Sequence, residues 1–204
     1  MVTENTDVKP AAATKNTTGM TRLANLKIVT VIGAGTMGNG ICHVFAQNGF
    51  NVHMLDVSRE ALDKAVTKIS RNLDRQIAKN AITEEIKTAS LQRITTFTDM
   101  ATAVKDADIV IEAASENIDL KLRIFADLDQ PCPEKTILAS NTSSISRTRI
   151  AAHTQRPGKV IGMHFMNPVP IMKLVEIING YATDKEITEL IVDLTKLLGK
   201  VPCV

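Results

Sequence analysis

The feature that most constrains the fold is a glycine-rich segment that directly follows a short β-branched run. "KIVTVIG" (27–33) has the composition of a strand, and "GAGTMG" (33–38) then leads into a helical pattern over 36–48. Strand, GxGxxG turn and helix in this order are typical of a βαβ unit that binds dinucleotide phosphates. The three glycines allow a tight turn, close approach of a phosphate, and close helix–strand packing. The predicted phosphate loop consists of Gly33, Ala34, Gly35, Thr36, Met37 and Gly38.

Strands and helices alternate along the rest of the chain. A second strand is predicted over 50–56, and Ser58 fits the N-cap of a long helix that reaches about residue 80. A further helix over 83–93 makes the connection to the next strand longer than an ordinary crossover. The pattern predicts an α/β, Rossmann-like, doubly wound and mostly parallel sheet, with a protruding helical hairpin after the second strand. Later strands are expected at 94–97, 107–114, 136–143, 159–165 and 173–180, with helices near 99–105 and 118–130 and a last helix over 184–198. The run over 107–114 is apolar enough to be a strand buried on both faces.

Composition excludes several classes of function. Aromatic residues make up 3% of the 204 residues and the formal net charge is +2 without a basic block, so we expect no nucleic-acid partner. Apolar runs are too short to cross a membrane, and the three cysteines lack metal-site spacing, so we expect neither membrane insertion nor a bound metal. Residues 1–26 have the composition of a flexible tail, which leaves 27–204 as the folded domain. The cysteine usage favours a reducing compartment, the cytoplasm, with the mitochondrial matrix as an alternative.

A carboxylate follows the second predicted strand. Asp56 lies 21 residues after Gly35, where an acidic side chain can accept hydrogen bonds from an adenosine ribose. The same charge repels a 2′-phosphate, so the sequence favours NAD over NADP. Arg59 lies close enough to weaken that preference. The simpler explanation is that the glycines form a turn and that Asp56 caps the following helix.

Two polar residues interrupt the apolar strands on either side of "NPVPIM". His164 shares a strand face with Val160 and Gly162, and Glu176 shares one with Leu174 and Ile178. A carboxylate in an apolar row requires a partner. A histidine–carboxylate pair is a common proton acceptor near neutral pH, and it also occurs as a purely structural bridge.

The motifs together carry a family resemblance. "VIGAGTMGNGI", "EAASEN", "ASNTSSIS", "GMHFMNPVPIMKLVEII" and "LGKVP" resemble the NAD-binding domain of the 3-hydroxyacyl-CoA dehydrogenases, and most closely of the 3-hydroxybutyryl-CoA dehydrogenases, over about residues 27–204. The resemblance implies that His164 is the general base, that Glu176 orients it, and that Ser143 bonds the substrate oxygen near the nicotinamide. It further implies cofactor contacts by Glu116 and Lys121, a position beside nicotinamide and substrate for Asn167, and a CoA contact by Lys79, which is otherwise a solvated helix charge.

The chain departs from the family pattern at three points. Asn72 stands where the family has a serine that contacts CoA, and Met166 replaces the usual phenylalanine. The family also has a C-terminal helical domain that closes the acyl-CoA site and forms most of a homodimer interface, and this chain does not include it. The resemblance therefore predicts NAD-dependent oxidation of a short L-3-hydroxyacyl-CoA and a homodimer when that domain is present. The alternatives are a dehydrogenase for another small β-hydroxyacid and a dinucleotide-binding or structural protein without turnover.

Overall fold

The computed structural model describes residues 23–204, within which eight strands form one sheet. The spatial order is β3-β2-β1-β4-β5-β6-β7-β8. All neighbouring strands are parallel except β6 and β7, which are antiparallel. The strands are β1 (Ile28–Ile32), β2 (Asn51–Leu55), β3 (Ile94–Phe97), β4 (Ile109–Glu112), β5 (Ile137–Ser140), β6 (Val160–Phe165), β7 (Leu174–Asn179) and β8 (Val201–Cys203).

Helices cover both faces of this sheet, which confirms the predicted doubly wound fold. Seven α-helices lie within the described residues, and a short 3₁₀ turn precedes β6. The hairpin after β2 is present, and its first helix packs onto the core through four buried apolar residues at helical spacing. The helices are α1 (Thr36–Gln47), α2 (Arg59–Ala78), α3 (Glu84–Gln92), α4 (Met100–Val104), α5 (Ile118–Leu128), α6 (Arg147–Ala151) and α7 (Lys185–Leu197).

Each central strand contributes to two hydrophobic cores. In β4, Ile109 and Ile111 join the core under α1 and α2, whereas Val110 joins the opposite core under α4 and α5. Successive side chains of a strand point to opposite faces, so a strand covered on both sides is apolar throughout. This explains the unbroken apolar run that predicted a buried strand here.

Two elements were not predicted from the sequence. The five residues of α6 and the three of β8 are too short to show a periodic pattern, and β8 contains Pro202. β8 is fixed by tertiary pairing with β7, where Val201 donates its backbone N–H to the carbonyl oxygen of Lys173. Short edge strands of this kind depend on their neighbour rather than on local propensity.

The N-terminal boundary of the domain lies slightly before β1. Leu26 is buried in the core, and Leu23 packs against it. Residues 1–22 of the predicted tail lie outside the described residues. Between residues 23 and 204, no helix combines the length and apolar character that a membrane-spanning helix requires.

The strand order reverses at β1, because the chain first adds β2 and β3 on one side and then β4 to β8 on the other. Ligands of open α/β sheets bind at such a reversal, in the crevice beyond the carboxyl ends of the strands. Loops after β1, β2, β4, β5 and β6 all emerge at this edge.

Gly38 provides the contact that seats α1 on β1. A Cβ at this position would overlap the carbonyl oxygen of Gly33, which is backbone and cannot move aside. We therefore expect Gly38→Ala to lower the free energy of unfolding by at least about 1–3 kcal/mol, the range for overpacked sites. Urea denaturation measures this. Gly35→Ala is the matched control, because a Cβ there meets nothing within 4 Å and its φ of −67° is ordinary. It should cost only the preference of a helix N-cap for glycine over alanine, less than Gly38→Ala.

Candidate active site

Packing within the protein explains two of the three glycines in the loop after β1, and it does not explain the third. Gly33 has φ of 100°, and a Cβ there would lie 2.7 Å from the carbonyl oxygen of Ala113. Gly33 and Gly38 are thus required by the fold. Gly35 has an ordinary φ and faces open space. The free space in front of Gly35 is what close approach of a phosphate requires.

The N-terminus of α1 faces the same space. Its N-cap is Gly35, which offers no side-chain oxygen, and the first turn contains no acidic residue. The N–H groups of the first helical turn therefore have no side-chain acceptor. Free N–H groups and the helix dipole together attract an anion. The loop thus fits the pyrophosphate of a dinucleotide.

Asp56 links the end of β2 to this loop. Its Oδ2 accepts a hydrogen bond from the backbone N–H of Ala34 at 2.8 Å, and its Oδ1 accepts one from the N–H of Ser58 at 2.9 Å. A carboxylate oxygen has two lone pairs, so both oxygens can accept further bonds from ribose hydroxyls. Arg59, which raised doubt about the preference for NAD, donates from Nη1 to Thr96 Oγ1 on β3 at 2.9 Å.

A cavity of about 370 Å³ lies at the carboxyl edge of the sheet and is lined by six of the predicted site residues. The loops after β1, β4, β5 and β6 supply its walls. Met37, Glu116, Lys121, Ser143, His164 and Asn167 were predicted from the sequence. The remaining lining residues are Ala113, Ala114, Asn141, Phe165 and Met166.

His164 and Glu176 form a direct pair across β6 and β7. They are opposite each other in the antiparallel register, and His164 Nδ1 lies 2.7 Å from Glu176 Oε2. The histidine side chain is 19% exposed and the glutamate side chain 43%, so the carboxylate lies at the edge of the site and keeps contact with water. When Nδ1–H donates to the carboxylate, Nε2 is left with a lone pair that can accept a proton.

Glu116 is held by the loop after β5. It accepts hydrogen bonds from Thr142 Oγ1 and, at 2.9 Å, from Ser144 Oγ, and Lys121 Nζ lies 3.4 Å away. Burial alone would raise the pKa of Glu116, but these hydrogen bonds and the lysine charge outweigh it and lower the pKa. The ionised carboxylate thus connects the loop after β4 to the loop that carries Ser143.

Lys121 is buried, and its main partner was missed by the sequence analysis. Its Nζ lies 2.6 Å from Glu112 Oε1, and both side chains are almost fully buried. Glu112 also accepts from Ser140 Oγ at 2.7 Å and from the N–H of Ala114 at 2.8 Å. A glutamate at the end of a buried strand, nine residues before a lysine on the next helix, was the signal for this pair. Lys121 therefore fixes the cavity wall, and a contact with the cofactor stays a prediction.

Two further polar residues fix the loops beside His164. Asn141 Oδ1 accepts from the N–H of Phe165 at 2.8 Å, which connects β5 to the end of β6. Lys200 Nζ donates to the carbonyl oxygens of Val169 and Met172 at 2.6 and 2.7 Å and holds the turn that follows Asn167. Burial lowers the pKa of Lys200. This role could not be predicted from the sequence, because Lys200, in "LGKVP", lies far from the turn along the chain.

Lys79 is not brought to the cavity. It is exposed and follows directly after the last residue of α2. Asn72 is half-buried on the same helix and accepts a hydrogen bond from Arg75 at 3.3 Å. The CoA contact of Lys79 therefore remains a prediction from the resemblance. Over residues 23–204, histidine, cysteine and acidic side chains form no cluster that could hold a metal ion.

The chain matches known proteins in sequence and in structure. Residues 28–204 match the family model for the 3-hydroxyacyl-CoA dehydrogenase, NAD binding domain. The chain is 48% identical over 177 residues to a 3-hydroxybutyryl-CoA dehydrogenase of Bradyrhizobium diazoefficiens, an alignment that covers 87% of this chain and 60% of the relative. It is 44% identical over 180 residues to 3-hydroxyadipyl-CoA dehydrogenase of Escherichia coli K12, covering 88% of this chain and 38% of the relative.

A solved structure shows the same fold. The crystal structure of (S)-3-hydroxybutyryl-CoA dehydrogenase from Ralstonia eutropha matches with a TM-score of 0.85 at 47% identity, covering 87% of this chain and 62% of that chain. The chain thus spans between 38% and 62% of the length of these relatives. The family match covers nearly all of the described residues and gives NAD as the cofactor of the domain. The chain belongs to the NAD-binding domain family of the 3-hydroxyacyl-CoA dehydrogenases.

Proposed function

We propose that the protein containing this chain oxidises L-3-hydroxyacyl-CoA to 3-ketoacyl-CoA, with 3-hydroxybutyryl-CoA as the expected short-chain substrate. The single observation that carries the proposal is the His164–Glu176 pair, 2.7 Å apart, whose histidine lines a cavity together with Ser143 and Asn167. This cavity lies beside the glycine loop at the same edge of the sheet. NAD, when bound, is the hydride acceptor.

The side chains of this chain supply positioning and proton transfer. His164 Nε2 accepts the proton of the C3 hydroxyl while the hydride leaves C3, so that oxidation of the alcohol releases one proton and one hydride. Glu176 keeps the imidazole in one tautomer and stabilises the positive charge that develops on it. Ser143 is exposed and lines the cavity, where its hydroxyl can donate to the substrate oxygen.

The alternative function is dinucleotide binding without turnover. The observation that favours it is the glycine loop with the N-terminus of α1, which can bind a dinucleotide whether or not turnover follows. The helical domain that closes the acyl-CoA site and the homodimer both rest on the family resemblance and are proposals here. We also propose the cytoplasm as the compartment; one similar protein, 43% identical, is a mitochondrial hydroxyacyl-coenzyme A dehydrogenase from Homo sapiens. Reduction of acetoacetyl-CoA by NADH in the complete protein tests the enzymatic function against the alternative.

Gly35→Ala should weaken NADH binding with only a small loss of stability. The added methyl group enters space that no protein atom occupies, in front of the N-terminus of α1. If the pyrophosphate occupies that space, we expect the dissociation constant of NADH from calorimetry to rise on the order of tenfold or more, through loss of close approach. Unchanged NADH affinity in a fully folded Gly35→Ala protein would place the phosphates elsewhere.

Asp56 should select NADH over NADPH. Its carboxylate offers acceptors to the ribose hydroxyls and repels a 2′-phosphate. We expect tighter binding of NADH than of NADPH in titrations of both, and we expect Asp56→Ala to narrow the difference, mainly by weakening NADH. Asp106→Ala is the control. Asp106 is exposed and lies just before the first residue of β4, at the edge of the sheet opposite the glycine loop. Equal affinities for the two cofactors in the unsubstituted protein would contradict this role.

His164→Gln should remove most turnover while leaving NADH affinity nearly unchanged. Loss of a general base costs on the order of 10²–10⁴-fold in rate. Glu176→Gln keeps the shape of the side chain but removes its charge, so it should lower kcat less. The double substitution should be no slower than His164→Gln alone, because Glu176 acts through the imidazole.

The matched control for these variants is Glu189→Gln on α7. Its carboxylate is exposed and pairs only loosely with Lys185 at 3.9 Å, so kcat should not change. The measurement is acetoacetyl-CoA reduction followed by loss of NADH absorbance. A His164→Gln protein that keeps full turnover would sink the proposed proton path.

A further inference from the structure

Arg147 is a buried charge that the proposed reaction does not use. It begins α6, directly after the loop that carries Ser143, and only 6% of the residue is exposed. The sequence analysis gave it no role. Within the described residues, no carboxylate lies within hydrogen-bond distance of its guanidinium, and its Nε is buried without a hydrogen-bond partner. Such a buried charge needs an explanation.

Its guanidinium spans the loop beneath Ser143. Nη1 donates to the carbonyl oxygen of Ile145 at 2.6 Å, and Nη2 donates to the carbonyl oxygen of Thr142. These two carbonyls lie on either side of Ser143 and Ser144. The rigid fork of an arginine can hold both at once, which a lysine with its single ammonium group cannot match in geometry.

The same side chain lies over β6 next to the proposed proton acceptor. A Cβ at Gly162 would lie 2.5 Å from Arg147 Nε, so the glycine makes room for the guanidinium. Gly162 is two residues from His164 on the same face of the strand, and its partner Ile178 is two residues from Glu176. Arg147 thus connects the Ser143 loop to the sheet face that carries the pair.

Arg147 is costly for stability alone. Burial lowers its pKa, and the negative charges of Glu116 and Glu176 act in the opposite direction. An apolar side chain of similar volume often stabilises such a site as well or better. The charge and the fork are therefore better explained by the loop that they hold than by the core that they fill.

We propose that Arg147 is a positioning residue that fixes the loop carrying Ser143, so that the serine hydroxyl faces the reacting oxygen beside His164. The inference rests on the proposed function for its kinetic consequence, but the loop geometry can be tested without turnover. A hydroxyl displaced by about 1 Å can cost on the order of 10²-fold in rate, so the loop must be rigid.

The first measurement is amide hydrogen exchange in the chain without substrate. The N–H groups of Ser144 and Ile145 donate to Thr142 Oγ1 at 3.4 and 3.2 Å and depend on the closed loop. Arg147→Met should speed exchange at these two amides by roughly tenfold, as expected of a local opening. Arg149→Met, an exposed arginine on the same helix, is the matched control and should leave them unchanged. If Arg147→Met does not fold, Arg147→Lys serves instead and should show a smaller increase.

The second measurement is a double-mutant cycle on acetoacetyl-CoA reduction in the complete protein. Arg147→Met should lower kcat by roughly tenfold with little change in KM or in NADH affinity. In a Ser143→Ala background, Arg147→Met should lower kcat by less than about twofold, because Arg147 acts through the Ser143 hydroxyl. If Arg147 were only structural, Arg147→Met would lower the melting temperature, and its effect on kcat would multiply with that of Ser143→Ala.

The outcomes separate this inference from the proposed function. Unchanged amide exchange in both Arg147 variants, or multiplicative effects with Ser143→Ala, would overturn the role of Arg147. Full turnover in both Ser143→Ala and His164→Gln would instead overturn the proposed function, and the exchange data would still decide whether Arg147 holds the loop. Faster exchange together with coupled kcat effects supports both.

Discussion

The close approach of α1 to the end of β1 is the constraint on which the rest of the site depends. A Cβ at Gly38 would overlap the carbonyl oxygen of Gly33, so no larger residue lets the helix start here. With the helix in this position, its first N–H groups face the crevice where the strand order reverses. The cofactor site is therefore a consequence of packing that the fold needs in any case. Of the three glycines in the loop, Gly35 alone has neither a packing contact nor a positive φ that requires glycine.

Polar contacts then tie the separate loops at this edge into one wall. Glu112 binds Lys121 from the following helix and Ser140 from the neighbouring strand. Glu116 binds Thr142 and Ser144 in the loop after β5. Fully satisfied buried networks of this kind are rigid, whereas a broken one leaves a costly unpaired charge. The loop that carries Ser143 is thus held from the side of β4 by carboxylates and from the side of β6 by Arg147.

The antiparallel pairing of β6 and β7 positions the two members of the His164–Glu176 pair. The loop of residues 166–173 lets the two strands pair so that residues 12 apart in sequence lie opposite each other, and His164 and Glu176 meet across this one strand pair. A shift of one residue in register would send one of them to the other face of the sheet. Lys200, which follows the last helix, binds two carbonyl oxygens of the turn and stabilises this register. Lys200 therefore supports the site although it lies far from His164 in sequence.

The sequence by itself determined the alternation of strands and helices, the glycine loop and the candidate pair His164–Glu176, because each of these depends on local spacing. Periodicity and turn residues act within a few positions, and they indicated which strands are buried on both faces. Only the tertiary structure decided the strand order, the short strand β8, and the partners of Glu112, Arg147 and Lys200. Those depend on how strands, helices and loops pack, because a buried charge is stable only if the fold brings it a partner. That holds whether the partner is 31 residues away, as for Lys200, or five, as for Arg147. Neither Arg147 nor Lys200 stands out in the sequence, and only packing shows what each of them holds.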